Sequence, residues 1–203
     1  MADRDAEKRA AAEAAAELER DGDKVGLGTG STVAPMLPAL AARKLNIRCV
    51  ATSIATEVAA RALGIEVEPF EQLDRLDIAI DGADQIDPAR WVVKGGGGAH
   101  TREKIVAGAA DRFVVIASSD KLVDALRPPV PLEILSFGAA ATLRALGEAA
   151  LRDVPPSPDG GLIADYVGDF SDPESLAARL AATPGVVEHG LFPPELVSDV
   201  IVR

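Results

Sequence analysis

A chain of 203 residues, 48% hydrophobic and 26% charged, is long enough to bury a core as one large domain or two small ones. Its formal net charge of −11 argues against non-specific nucleic-acid binding, which needs a basic face. The single cysteine, Cys49, excludes an intrachain disulfide, and no apolar segment approaches membrane-spanning length. The charged, helix-forming N-terminus has no apolar signal region, which predicts a cytoplasmic protein without a membrane partner.

Short apolar strands alternate with helices through the first 128 residues. Strands are predicted at residues 24–28, 46–51, 65–67, 76–80, 91–93 and 113–117, and helices at residues 3–20, 33–44, 54–63 and 101–110. This alternation is typical of parallel βαβ units, so the fold class is predicted as α/β with a Rossmann-like open parallel sheet. Pro35 suits the first turn of its helix, whereas Pro38 is expected to kink or delay it.

The composition changes at residues 127–131, Arg-Pro-Pro-Val-Pro, which is typical of an interdomain connection. Strands at residues 130–135, 162–167 and 186–191, with helices at residues 138–150 and 173–182, predict a small α+β unit with a ferredoxin-like antiparallel sheet. The last apolar run, residues 196–202, could return to the first sheet. The predicted domains are therefore a catalytic Rossmann-like domain of residues 1–128 and 195–203, and a lid or interface domain of residues 129–194.

A glycine-rich turn with three hydroxyls, Gly-Leu-Gly-Thr-Gly-Ser-Thr at residues 26–32, lies between a strand and a helix. Its glycine spacing does not match the dinucleotide fingerprint, and Gly30 occupies the position where a Walker A loop requires lysine. The N–H groups and the hydroxyls of Thr29, Ser31 and Thr32 remain as a cradle for a phosphate or a sugar hydroxyl. Simple capping of the helix by Ser31 or Thr32 is the alternative.

An apolar strand at residues 76–80 ends sharply in Asp81-Gly82-Ala83-Asp84. The carboxyl ends of strands are where ligands bind in an open parallel sheet. The two carboxylates could act as acid and base on sugar hydroxyls, or they could bind Mg²⁺. An Asx turn with solvated aspartates is an equally good explanation of this pair alone.

The segment from Lys94 to Lys104 has the sequence Lys-Gly-Gly-Gly-Gly-Ala-His-Thr-Arg-Glu-Lys and joins a strand to a helix. The N–H groups of such a turn suit an oxyanion, and glycine lets a ligand approach the main chain. Glu103 falls in the first helical turn, where the helix dipole favours the ionised carboxylate. Such a carboxylate can take a proton from carbon while Lys94 stabilises the oxyanion. A structural turn followed by a dipole-favoured glutamate is an equal alternative.

Lys121 ends the segment Ser-Ser-Asp-Lys after the strand at residues 113–117, and it is a candidate partner for a phosphate or hydroxyl. A surface lysine is the ordinary alternative. His100 and His189 have no partner at metal-ligand spacing, so no metal site is predicted. Three strand ends that carry a hydroxyl cradle, an acid pair and a lysine–glutamate pair together suit proton transfer on a phosphorylated polyol.

Four sequence blocks in this order resemble the type A ribose-5-phosphate isomerases: residues 26–32, 81–87, 94–104 and 118–121. Residues 168–173 and 184–192 are similar to the family as well, so the resemblance runs nearly end to end. It implies interconversion of D-ribose 5-phosphate and D-ribulose 5-phosphate through a cis-enediolate, in the non-oxidative branch of the pentose phosphate pathway. It also implies a homodimer or homotetramer and no cofactor. His100, where the family usually has an apolar residue, could alter the pocket wall.

The resemblance also implies roles for single residues. Glu103 would be the base that moves the proton between C2 and C1, and Lys94 would stabilise the enediolate. Asp81 would assist ring opening and proton transfer among the oxygens, with support from Asp84 through a hydroxyl or water. Lys8, in the first helix, matches a lysine that could reach the phosphate. The implied substrate contacts are Thr29, Gly30, Ser31, Thr32, Asp81, Gly82, Ala83, Asp84, Lys94, Gly95, Gly96, Gly97 and Lys121.

Two other functions are possible for related folds. One is a non-catalytic sugar-phosphate sensor, which would normally carry a helix-turn-helix where this chain has an acidic, alanine-rich helix. The other is acyl-CoA transfer with a nucleophilic glutamate, which would leave the pair Asp81 and Asp84 unexplained.

Overall fold

The computed structural model of the chain describes residues 2–73 and 75–203. The chain divides into two compact units, the first being Met1–Ala83, Arg102–Leu122 and Glu195–Arg203, and the second Asp84–Thr101 and Val123–Pro194. Residues 84–101 pack with the second unit, although the sequence-based division left them in the first domain. The reason is that the two short strands in this segment, residues 85–86 and 92–93, pair with each other, and the second of them also pairs with a strand of residues 191–192. No helix in the described ranges is both long and apolar enough to span a membrane.

The helices in chain order are α1 (Ala2–Ala16), α2 (Met36–Arg43), α3 (Ile54–Ala62), α4 (His100–Gly108), α5 (Ala139–Leu146) and α6 (Pro173–Ala182). The strands are β1 (Lys24–Leu27), β2 (Arg48–Ala51), β3 (Ile78–Gly82), β4 (Gln85–Ile86), β5 (Val92–Val93), β6 (Phe113–Ala117), β7 (Val130–Ile134), β8 (Ala149–Leu151), β9 (Leu162–Tyr166), β10 (Val186–His189), β11 (Leu191–Phe192) and β12 (Asp199–Val202).

The first unit contains a five-stranded sheet in the order β12-β6-β3-β1-β2, and every neighbouring pair is parallel. The α/β class with a Rossmann-like parallel sheet is therefore confirmed, as is the return of the last apolar run to this sheet. Strand β2 pairs with one edge of β1, and β3, which comes later in the chain, pairs with the opposite edge, so the strand order reverses at β1. Crevices at such a reversal of strand order are the usual ligand sites of open parallel sheets.

Two prolines, Pro35 and Pro38, lie at the beginning of α2 in the first unit. Residues 31–35 form turns, and α2 begins only at Met36, with Pro38 as its third residue. A proline is tolerated there because the first helical N–H groups have no intrahelical partner.

The predicted strand at residues 65–67 was wrong, since Val67 makes a single parallel bridge to Cys49. Cys49 is buried, and burial raises the pKa of its thiol to about 12.

The second unit contains an antiparallel sheet in the order β10-β7-β9-β8, with α5 and α6 as its helices. The sequence of elements β7-α5-β8-β9-α6-β10 gives the strand order of a ferredoxin-like fold, which was the prediction. The predicted helix at residues 138–150 was too long, because Gly147, with φ of 78°, ends α5. The residues after it form β8 and pair with β9.

The strand before Lys94 lies outside the parallel sheet. The sequence predicted that it would join the parallel βαβ system, but β5 lies in a separate three-stranded sheet in the order β11-β5-β4. Both of its neighbours are antiparallel to it. The predicted strand at residues 186–191 is divided at Gly190, so that β10 completes the ferredoxin-like sheet and β11 supports β5. Lys94 is thus held by an antiparallel sheet of the second unit.

Candidate active site

The hydroxyl cradle follows β1 in the first unit. The Gly28 N–H donates to the Ile80 carbonyl at 2.9 Å, which ties the turn to β3. The Thr56 hydroxyl donates to the Gly28 carbonyl at 3.0 Å, and the Thr29 and Ser53 hydroxyl oxygens are 2.9 Å apart. The cradle is therefore fixed from two sides, by β3 and by the beginning of α3.

Asp81 lies at the end of β3 and is part of the same cluster. Its side chain is 3% exposed, and Oδ1 accepts the N–H groups of Thr29 at 3.0 Å and Gly82 at 2.7 Å. A Cβ atom on Gly28 would lie 2.1 Å from Asp81 Oδ1, so only glycine leaves room for the carboxylate. The Asp81 carboxylate is thus hydrogen-bonded to the cradle and buried with it. The alternative of a solvated aspartate in an Asx turn is therefore wrong for Asp81.

The first helix contacts two of the predicted site segments. Lys8 Nζ donates to the Ser31 hydroxyl at 3.1 Å. Glu7 is the residue before Lys8, and its Oε2 accepts hydrogen bonds from the Ser119 N–H at 2.9 Å and the Ser119 hydroxyl at 2.8 Å. Ser119 is the first residue of the 3-10 helix Ser119–Lys121. Helix α1 therefore holds the cradle and the Lys121 segment within the first unit.

Glu103 occupies the first turn of α4, as predicted, and its side chain is 5% exposed. The N–H groups at the beginning of a helix favour a negative charge in this position. A carboxylate that is almost excluded from water, and that also faces a helix dipole, is suited to accept a proton from carbon. The first unit thus holds the cradle, Asp81, Glu103 and Lys121.

Lys94 belongs to the second unit and directly follows β5. Its N–H donates to the Gly190 carbonyl at 2.8 Å. Its side chain is 3% exposed, and Nζ lies 5.6 Å from the centroid of the Phe192 ring. A lysine ammonium beside an aromatic face can stabilise a developing oxyanion.

The glycine turn after Lys94 has a specific, closely packed backbone. Gly95 has φ of 103°, and its carbonyl accepts the Gly98 N–H at 2.9 Å. A Cβ atom on Gly95 would lie 2.6 Å from Nδ1 of the buried His100, so this histidine packs against the turn. Asp84 Oδ2 accepts the Gly96 N–H at 2.8 Å. Within the second unit, Asp84 therefore fixes the glycine turn through a hydrogen bond to its backbone.

The structure decides one of the alternatives left by the sequence. Helix α2 begins at Met36, and the residue before it, Pro35, supplies no side-chain cap. Ser31 and Thr32 therefore do not cap α2, and simple helix capping was wrong.

Among the residues that the structure describes, no three His, Cys, Asp or Glu side chains form a group that could hold a metal ion.

Sequence reasoning missed three residues that support the site. Ser53 and Thr56 extend the hydroxyl cradle, and Glu7 holds the segment before Lys121. Ser53 had a usable signal, because Thr-Ser directly follows β2, the strand beside β1. Glu7 had none, because it contacts a residue 112 positions away from an ordinary acidic helix.

Comparison with known proteins points to one family. The family model described as ribose 5-phosphate isomerase A (phosphoriboisomerase A) matches residues 48–203. Ribose-5-phosphate isomerase A from Rhodopseudomonas palustris (strain BisB18) is 46% identical over 91% of this chain and 88% of its own.

Two solved structures agree with this match. Ribose 5-phosphate isomerase A from Neisseria gonorrhoeae has a TM-score of 0.93 and 33% identity, over 98% of this chain and 92% of that one. A D-ribose-5-phosphate isomerase in complex with phospho-erythronic acid has a TM-score of 0.89 and 33% identity, over 96% and 92% of the two chains.

A parallel sheet with a hydroxyl cradle and a buried carboxylate, and a ferredoxin-like unit with a buried lysine, define an α/β enzyme of the sugar-phosphate isomerase class. The family match and the relatives narrow the class further. The chain belongs to the ribose 5-phosphate isomerase A family.

Proposed function

We infer that the chain interconverts D-ribose 5-phosphate and D-ribulose 5-phosphate as an aldose–ketose isomerase. Family membership supports this reaction, and the observation that carries it is the Asp81 carboxylate, fixed by two N–H groups above a hydroxyl cradle. The structure of a D-ribose-5-phosphate isomerase in complex with phospho-erythronic acid is consistent with a sugar-phosphate substrate. The non-catalytic sensor and the acyl-CoA transferase have no support among these relatives.

The proposed chemistry is a balanced proton transfer. Glu103 takes the C2 proton of the open-chain aldose as the C1–C2 double bond forms and negative charge moves onto O1. The proton on O2 passes to O1, and Glu103 returns its proton to C1 as O2 becomes the ketone oxygen. Lys94 stabilises the cis-enediolate by its charge, which is fixed before the reaction. No proton or electron is gained or lost overall.

We assign the remaining residues to substrate binding and proton movement among oxygens. Asp81 assists ring opening and the transfer from O2 to O1, and Asp84 supports it through a hydroxyl or water. The hydroxyls and N–H groups of residues 29–32 hold the substrate together with Lys121, and Lys8 extends this set through its contact with Ser31. The remaining assigned contacts are the backbone of Gly82 and Ala83, and of Gly95, Gly96 and Gly97. Binding energy from the distant phosphate can then position the reacting carbons.

We also propose that the protein is cytoplasmic, that it forms a homodimer or homotetramer, and that it needs no metal for catalysis. These proposals rest on the resemblance to the family. Sedimentation equilibrium of the purified chain tests the oligomeric state, and a single monomeric species at micromolar concentration would contradict it.

Incubation with ribose 5-phosphate in D₂O tests the reaction. The expected result is ribulose 5-phosphate that carries deuterium at C1, detected by proton NMR, because the base exchanges its proton with solvent before returning it. The variant Glu103→Gln, with the same fold by circular dichroism, is the matched control and should form ketose far more slowly. Sugar phosphate that binds in calorimetry but stays unchanged would instead indicate a sensor.

A further inference from the structure

Arg152, which directly follows β8, contacts the glycine turn of the second unit. Its Nη1 donates to the Gly96 carbonyl at 2.8 Å and to the Gly95 carbonyl at 3.2 Å. These acceptors belong to the segment assigned above to the substrate. The arginine lies 56 residues further along the chain than Gly96, so nothing in the local sequence indicates the contact.

Asp165, on β9, fixes the guanidinium of Arg152. Its Oδ2 accepts from Nε at 3.0 Å and its Oδ1 accepts from Nη2 at 2.5 Å, so the pair is bidentate. This geometry uses one edge of the guanidinium and leaves Nη1 for the turn. The hydrogen bonds with Asp165 raise the pKa of Arg152 above its ordinary value, with a smaller contribution from the Asp84 charge. The guanidinium is therefore a rigid, permanently charged donor.

The contacts of Arg152 determine the direction of two peptide groups. In a trans peptide the C=O and N–H bonds point in opposite directions. The Gly95–Gly96 peptide is held at both ends, its oxygen by Arg152 and by the Gly98 N–H at 2.9 Å, and its N–H by Asp84 at 2.8 Å. In the Gly96–Gly97 peptide, Arg152 holds the oxygen, so the Gly97 N–H points away from the guanidinium. Around Gly97 the space is open, since a Cβ atom there would meet no heavy atom within 4 Å.

The turn needs such a clamp because glycine has the largest backbone entropy to lose on ordering. An N–H group stabilises developing charge only if it is aimed before the charge forms. We propose that Arg152, held by Asp165, is a positioning residue that fixes the two peptide groups and presents the Gly97 N–H to an anionic oxygen of the substrate. This proposal rests on the proposed isomerase function.

Steady-state kinetics of the full chain test the proposal with Arg152→Ala, Arg152→Lys and Asp165→Asn. We expect Arg152→Ala to lower kcat by about 10- to 100-fold, less than the roughly 100- to 1,000-fold cost of removing an oxyanion donor, because the Gly97 N–H is misaligned but still present. KM should change less than about threefold. Arg152→Lys keeps the charge but not the two-carbonyl contact, and should lie between the wild type and Arg152→Ala. Guanidinium ion at non-denaturing concentration should restore part of the kcat of Arg152→Ala and leave the wild type unchanged.

Arg179→Ala is the matched control in the same unit. Arg179 donates to the Tyr166 hydroxyl at 2.6 Å, and its guanidinium carbon is 4.9 Å from the centroid of that ring. It therefore supports the same sheet, and its removal should change thermal stability but not kcat. If Arg152→Ala and Arg179→Ala behave alike and guanidinium restores nothing, Arg152 has only a structural role and the proposal is overturned.

Amide hydrogen exchange separates this proposal from the proposed reaction. Peptides that cover residues 94–99 should exchange faster in Arg152→Ala and Asp165→Asn than in the wild type or Arg179→Ala. This measurement needs no turnover, so it still reports on the clamp if the wild type fails to form ketose, an outcome that would remove the isomerase function alone. Unchanged exchange in all three variants would overturn the clamp even in an active enzyme. The double variant of residues 152 and 165 should lose no more kcat than Arg152→Ala, and an additive loss would also overturn it.

Discussion

The Glu19 carboxylate lies 3.9 Å from Nη1 of Arg43 and is completely buried in the first unit. The same guanidinium donates to the carbonyls of Glu19, at 2.8 Å, and Ala16. Neither carboxylate oxygen of Glu19 has a hydrogen-bond partner among the described residues. Burial raises the pKa of Glu19 to about 8, and the charge of Arg43 only partly opposes this. Glu19 is therefore protonated in the folded protein at neutral pH.

Protonation of Glu19 links the free energy of unfolding to pH. In the unfolded chain the carboxyl loses its proton near its ordinary pKa of 4.5, whereas the folded protein keeps it up to about pH 8. The stabilisation is therefore complete below pH 4.5 and is lost as the pH rises toward 8. At about 1.4 kcal/mol per pKa unit, we expect this group to lower the free energy of unfolding by roughly 3 kcal/mol between pH 5 and pH 8.

Urea denaturation of wild type and Glu19→Gln at several pH values measures this effect. The neutral glutamine should remove the pH-dependent difference, so the variant gains relative stability as the pH rises. Glu13→Gln is the control, because Glu13 is exposed in α1 and does not contribute to the pKa shift of Glu19, so it should leave the pH dependence unchanged. A constant difference between wild type and Glu19→Gln from pH 5 to pH 8 would contradict the assignment.

Replacement of Gly28 by alanine should displace Asp81. The new Cβ atom would lie 2.1 Å from Oδ1 of Asp81, so the carboxylate must leave its two N–H donors. If Asp81 assists proton transfer, we expect kcat to fall by about 100-fold or more, because an acid–base group is lost from the reaction. Gly108→Ala, in α4, is the control, because a Cβ atom there meets nothing within 4 Å. Wild-type kcat in Gly28→Ala would exclude Asp81 from the reaction.

The buried strands were predictable because their signal is local. The strands β3 and β6 are short apolar runs with every residue buried, and each ends sharply in polar residues. The ligand-binding edge of a parallel sheet follows from that pattern. Asp81 and the cradle could therefore be assigned to one unit from sequence, and the structure places them in contact.

The errors have non-local causes. Residues 149–151, Ala-Ala-Leu, favour a helix by propensity, but Gly147 ends α5 and pairing with β9 decides the outcome. The segment before Lys94 was assigned to the parallel sheet because its partner, β11, lies almost a hundred residues later. The contact of Arg152 with the glycine turn likewise depends on the folded sheet. A single sequence does not encode such contacts in any local pattern.

Removal of divalent metal should leave the reaction intact. The proposed mechanism stabilises the enediolate with the Lys94 ammonium, which Phe192 holds 5.6 Å from its ring centroid, and needs no Lewis acid. We expect full activity after exhaustive treatment with EDTA and gel filtration, with ketose formation as the measurement. Activity that is lost and then restored by Mg²⁺ would favour Asp81 and Asp84 as metal ligands.

Glu103→Gln should preserve the fold and substrate binding but lower kcat by several orders of magnitude. The amide has nearly the shape of the carboxylate and cannot accept the C2 proton, so only the chemical step is affected. The affinity for ribose 5-phosphate, measured by calorimetry, should change little. Glu174→Gln is the matched control, since Glu174 also lies in the first turn of a helix, α6, but is exposed on the other unit. Near-wild-type turnover in Glu103→Gln would remove Glu103 from the role of base, whereas a loss shared by Glu174→Gln would indicate a general effect on the fold.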